Sequence, residues 1–156
     1  MPLMHYTTTV AAQKTAGEVM AMLVRHGAGS VLFEYDGNKV ISGIAWKVQT
    51  GHGELPFRMP LNIEAVRKTL EGQYGMRQGP TYSQTSLEHA GRVAWRILKD
   101  WVGLQMALIE TGSVTLEQVF LPYLMLGPQE TLYERMLGSG FKALALNAGK
   151  DEGGDK

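Results

Sequence analysis

The chain contains no cysteine among its 156 residues, which removes disulfides, thiolate zinc sites and thiol nucleophiles together and suits a reducing compartment. Long apolar runs are missing as well. None approaches the roughly 18 residues that cross a bilayer, and the opening Met1-Pro2-Leu3-Met4-His5-Tyr6-Thr7 has no signal-peptide core. The expectation is a cytoplasmic protein with no membrane partner. Also absent are a Gly-x-x-x-x-Gly-Lys-Ser/Thr loop, a Gly-x-Gly-x-x-Gly turn and a Gly-x-Ser-x-Gly elbow, the common phosphate cradles and nucleophile turns. His5, His26, His52 and His89 never stand at i, i+4 spacing with a carboxylate partner, as a helical metal site requires. Asp100 reads as the ion-pair partner of Arg96 one turn earlier rather than as a general base. The sequence therefore predicts no enzyme, no metal and no cofactor.

Net charge is also absent: the formal total is zero, which argues against a general polyanion binder. The distribution is uneven. Residues 39–99 carry nine basic side chains against four acidic ones, whereas from Glu110 onward four basic face seven acidic. Attraction to phosphate depends on local potential rather than the total, so a basic surface on a neutral protein is the expectation.

What the sequence does contain is a pattern of three short runs of period-two hydrophobicity, joined by Asp36-Gly37-Asn38 and Gly51-His52-Gly53. These predict an antiparallel meander with strands over 30–35, 39–50 and 54–61. Val31, Phe33, Tyr35, Val40, Ile44, Trp46 and Val48 fall on the core face. Leu32, Glu34, Lys39, Ile41, Gly43, Ala45, Lys47 and Gln49 fall on the other. Pro56 and Pro60 confine the third strand to an edge.

Thr15-Ala16-Gly17-Glu18 fits a capping box and predicts a helix over 16–26. Ahead of it, Tyr6-Thr7-Thr8-Thr9-Val10 suits either an extra edge strand or an ordered arm. Asn62 is placed to cap a helix over 63–73, and the glycine-rich, polar stretch over 72–84 reads as a mobile loop. Thr85-Ser86-Leu87-Glu88, a second capping box, opens the longest helix, which runs to about Thr111 and is apolar nearly all round. Thr115 caps a short helix broken by Pro122, and Pro128 begins a last one ended by Gly138. The predicted fold is α+β: a three-stranded antiparallel β-meander packed against a long central helix and several shorter ones, a single domain over 1–149. A disordered charged tail over 150–156 follows.

Binding a single strand of nucleic acid needs cations for phosphates and exposed rings for bases. Lys39, Lys47 and Arg58 are assigned to the outer sheet face, Arg67 and Lys68 to the second helix, Arg77 to the loop, and Arg92, Arg96 and Lys99 to the long helix. Tyr74 and Tyr82 are the stacking candidates, with Trp95 third because Arg92 and Lys99 flank it. Phe33, Trp46, Phe57 and Trp101 read as core. A second reading is a homo-oligomeric interaction module without nucleic-acid affinity. Its support is the all-round apolar helix, nine methionines and the run Val119-Phe120-Leu121-Pro122-Tyr123-Leu124-Met125-Leu126.

At His5-Tyr6-Thr7-Thr8-Thr9-Val10, Val24-Arg25-His26-Gly27-Ala28, His52-Gly53-Glu54-Leu55-Pro56-Phe57-Arg58, Val93-Ala94-Trp95-Arg96-Ile97-Leu98-Lys99-Asp100-Trp101 and Thr115-Leu116-Glu117-Gln118-Val119-Phe120-Leu121-Pro122-Tyr123, the sequence resembles small uncharacterised bacteriophage- and prophage-encoded proteins. The likeness runs to about Phe141. It implies a phage setting, hence a host-cell cytoplasm and a role in viral DNA replication, recombination or protection of single strands, and it transfers no catalytic residue. The leading expectation is thus a sequence-tolerant single-stranded DNA-binding protein that works as a homo-oligomer. That expectation requires the cations to converge on one solvent-facing groove, unneutralised by carboxylates.

Overall fold

The computed structural model describes residues 1–142; the predicted tail over 150–156 and the domain end at 149 lie outside them. The helices are α1 (Ala12–Arg25), α2 (Ile63–Gln73), α3 (Leu87–Glu110), α4 (Leu116–Phe120) and α5 (Leu132–Gly138), and the strands are β1 (Ala28–Tyr35), β2 (Ile41–Thr50) and β3 (Gly53–Pro60). Single 3₁₀ turns at Tyr82–Thr85 and Leu121–Tyr123 precede α3 and follow α4. The sheet is antiparallel in the order β1-β2-β3. The predicted α+β meander with a long helix is what forms.

Helices cover one sheet face. Ile44, Trp46, Val48, Phe57 and Met59 point into a core shared with Val19 and Leu23 of α1, Trp95, Leu98, Val102 and Met106 of α3, and Phe120 of α4. Trp46 stacks on Phe57 at 5.5 Å between ring centroids and meets Phe120 edge-on at 5.4 Å, geometries that add to area burial. Helices α1 and α3 run parallel: Glu18 reaches Lys99, and His26 reaches Glu110.

Two bulges alter the expected alternation. The register shifts between Ala28 and Ser30 and again between Glu34 and Tyr35. At the second shift Glu34 faces Gly43 while Tyr35 faces Ile41, so Ser42 is the extra residue. The parity of the strand reverses beyond it. Ile41, assigned by simple alternation to the outer face, is a core residue at 3% exposure, and Tyr35 is turned to solvent.

Helix ends also shift. The Thr15-Glu18 pair is no cap, because α1 starts a turn earlier after Ala11, Thr15 is buried inside it, and Glu18 bonds α3 instead. Ser86 rather than Thr85 caps α3, accepting from the His89 amide. Helix α5 starts after Thr131, whose hydroxyl and Glu134 form a reciprocal box, rather than at Pro128. Asn62 and Thr115 cap as expected. Residues 82–84 of the stretch read as a mobile loop belong to the 3₁₀ turn Tyr82–Thr85.

The N-terminal segment is an arm held by polar contacts and contributes no strand. Leu3 N donates to Gln73 Oε1, Tyr6 Oη donates to the Gln78 carbonyl, His89 Nε2 lies 2.5 Å from the Tyr6 carbonyl, and His5 Nε2 lies 2.5 Å from Asp100 Oδ2. Asp100 thus pairs with His5 and not with Arg96.

Candidate interaction surfaces

The uncovered sheet face is the floor of a groove of about 720 Å³. Alternation along the strands puts Ser30, Leu32, Glu34, Ala45, Lys47, Pro56 and Arg58 on it, and Met125, Pro128 and Gln129 form one wall. Ala45 between Leu32 and Arg58 keeps the centre shallow. Arg58 crosses this floor to Glu34, with Nε to Oε1 at 2.6 Å and Nη2 to Oε2 at 2.8 Å. The Glu34 hydrogen bonds raise the Arg58 pKa, against the opposing effect of burial. A phosphate would have to displace that bidentate pair.

The other predicted cations are dispersed or matched. Arg67 bonds both Glu64 and Glu71 within α2, which raises its pKa further and lowers that of Glu64. Arg92 bonds Glu88 at 2.8 Å. Arg96 and Lys99 converge on Glu18 of α1, and hydrogen bonding from Lys99 lowers the Glu18 pKa. These three α3 cations belong to the helical layer on the opposite side of the sheet from Lys47 and Arg58. Lys39 sits in the β1–β2 turn, bordering a small cleft with Glu88 and Arg92. The continuous basic groove is therefore not formed. Its members are parted by the sheet, and five of the nine have carboxylate partners.

Lys39, Lys47, Lys68 and Arg77 make no ion pair among the described residues. Tyr74 and Tyr82 stand at 57% and 78% exposure, with ring centroids 6.1 Å apart in an edge-to-face pair. Arg77 is exposed in the turn between them. Trp95 is not a stacking residue: it is fully buried, and its Nε1 donates to the Ile41 carbonyl at 2.9 Å. The apolar sheet against which α3 packs claims the ring, although charged residues flank it in sequence.

Sequence reasoning did not single out the outer edge of β1. The opposite edge, on β3, carries Pro56 and Pro60 and is overlain by a short bridge from Phe57 to Leu124, with Met125 N donating to the Pro56 carbonyl at 2.8 Å. Among the described residues nothing comparable covers β1. Among the described residues no hydrogen bond reaches its outer edge, and the strand contains neither proline nor lysine, two of the usual guards of a free edge. Leu32 on β1 is 63% exposed. Helix α1 packs over β1, and its flank turned away from α3 presents Met20 and Val24 at 39% and 54% exposure, one helical turn apart. The contrast between two prolines in the third strand and none in the first is the signal that marks this edge.

Among the described residues no group of three or more histidine or carboxylate side chains gathers as a metal site, and no helix is long and apolar enough to cross a membrane. Compared with family models, curated proteins and solved structures, the chain matches none.

Proposed function

We propose that this chain is a homo-oligomeric interaction module, whose working surface is the β1 edge with the apolar flank of α1 beside it. The observation that carries this reading is the unequal treatment of the two sheet edges: β3 is closed by prolines and a crossing segment, while among the described residues nothing pairs with the outer edge of β1, which carries the exposed Leu32 and lies under α1 with its exposed Met20 and Val24. Free backbone groups next to exposed apolar side chains are a pairing surface. Sedimentation of the purified chain over a thousandfold dilution tests it. A mass above one chain that falls on dilution is the expected result. A single-chain mass throughout overturns the proposal.

A specific observation supports a second reading, sequence-tolerant binding of single-stranded DNA in phage replication or recombination. Tyr74 and Tyr82 form an exposed aromatic pair, and the segment between them carries Arg77, which is exposed and lacks a carboxylate partner among the described residues. Stacking on such rings contributes about 1–3 kcal/mol per base. Of the nine predicted cations, Lys39, Lys47, Lys68 and Arg77 lack carboxylate partners among the described residues, so the logarithmic salt slope they carry should be no steeper than about −3 at about 0.7 per neutralised phosphate. Fluorescence anisotropy of a labelled oligonucleotide from 20 to 300 mM salt measures it, on the order of the range over which such contacts are screened. No binding at the lowest salt removes this reading and leaves the first intact.

A further inference from the structure

This inference rests on the assembly reading and specifies its partner. We infer that the occupant of the β1 edge is β1 of a second copy, joined antiparallel about a two-fold axis passing beside Leu32, so that two three-stranded sheets become one of six strands.

The bulges set the register. Regular pairing of β1 with β2 is confined to residues 30–34, between the shifts at Ala28/Ser30 and Glu34/Tyr35. A bulge bends a strand and disturbs its ladder, so the straight stretch is the part able to accept a new neighbour. Its midpoint is Leu32. In antiparallel pairing a residue must face one whose side chain emerges on the same side, so the two paired positions must have the same parity. Centring on Leu32 satisfies that condition and uses the whole regular stretch: Leu32 faces its own counterpart, Val31 faces Phe33, and Ser30 faces Glu34.

The apolar pairings improve what the single copy leaves incomplete. Leu32, the most exposed apolar side chain of the sheet, is covered by an identical one. Val31 and Phe33, half-buried at the rim of the core, cover each other on the helical side, where Met20 and Val24 border the same edge. On the open face Ser30, whose neighbour on β2 is Lys47, receives Glu34 of the second copy, whose carboxylate stays on Arg58 of its own chain, so the pairing brings no uncompensated charge to the axis.

The absence of cysteine permits a direct test, because any introduced thiol is the only one present. Residues facing each other across antiparallel strands lie within the Cα separation a disulfide accepts, whereas Ser30 and its own counterpart would be offset by four residues, roughly 13 Å along the strand. Under mild oxidation Leu32→Cys should give mostly disulfide-linked dimer. Ser30→Cys alone should stay unlinked, and mixed with Glu34→Cys it should form the heterologous link. Leu32→Lys, exposed and harmless to the core, should lower self-association at least tenfold with unchanged circular dichroism. If the protein sediments as an oligomer but Leu32→Cys does not link, or Ser30→Cys links to itself equally well, this pairing is overturned while the assembly reading stands. If the protein is a single chain at every concentration, both fall.

Discussion

Arg58 and Glu34 face each other diagonally across Ala45, joined by two hydrogen bonds of 2.6 and 2.8 Å on the open face of the sheet. A bidentate pair of this kind fixes both side chains and neutralises the centre of the groove. Replacing Glu34 by Gln should leave the guanidinium without its countercharge and cost about 1 kcal/mol in urea unfolding, the upper range for a pair still partly open to water. If the DNA reading holds, the same variant should strengthen oligonucleotide binding at low salt, since it frees Arg58 for phosphate. Lys47→Ala should make the salt slope shallower by about 0.7.

Trp95 offers a sharper contrast between packing and binding. Trp95→Phe removes the donor to the Ile41 carbonyl and leaves that acceptor buried, so a loss of about 1–3 kcal/mol is expected from chemical denaturation. Trp95→Ala should lose about 3–5 kcal/mol. A Trp95→Phe variant as stable as the parent would show that the hydrogen bond contributes nothing.

The Glu18 carboxyl, held below its ordinary value by Lys99 and then by Arg96, gives a pH dependence with a definite sign. Its folded-state pKa is depressed, so the unfolded chain takes up the proton first. The stabilisation is complete above the unfolded glutamate range near about pH 4.3 and is lost as pH falls through the folded value. Glu18→Gln should therefore flatten the acid limb of the stability curve below about pH 5. Thermal melts of both proteins between pH 3 and 7 read this directly, and parallel curves would contradict it.

Tyr82 is 78% exposed and buries little of its ring. Tyr82→Ala should change stability by less than about 0.5 kcal/mol and leave the sedimentation profile unaltered. Under the DNA reading it should weaken oligonucleotide binding by an amount comparable to the loss of one stacked base, about 1–3 kcal/mol. Anisotropy titration distinguishes the outcomes.

Much of the architecture was readable because it depends on neighbours in sequence. The meander follows from alternation and two glycine turns, and Asn62 and Thr115 cap because each has a backbone amide three residues on to satisfy. The misplaced details depend on choices between local rivals or on distant contacts. Thr15-Glu18 has the form of a capping box, yet Ala12, Gln13 and Lys14 extend the helix past it, and Glu18 finds Lys99 across the α1–α3 interface. Ile41 lies on the core side because Ser42 interrupts the ladder, which no periodicity count registers. The candidate site suffered most. Whether a cation is free depends on which carboxylate folding brings beside it, and Glu34 with Arg58, or Glu18 with Lys99, meet only in three dimensions. Tyr74 and Tyr82 kept their expected exposure because the polar segment that carries them packs little.

The crossing segment from Leu121 to Met125 has an effect that reaches beyond a single molecule. With β3 sealed by it and by two prolines, β1 is the edge left for strand addition among the described residues, so the proposed assembly would halt after one partner instead of propagating into filaments. In that proposed assembly, deleting the cover and exchanging both Pro56 and Pro60 for residues with free amides should turn a self-limiting unit into a polymerising one.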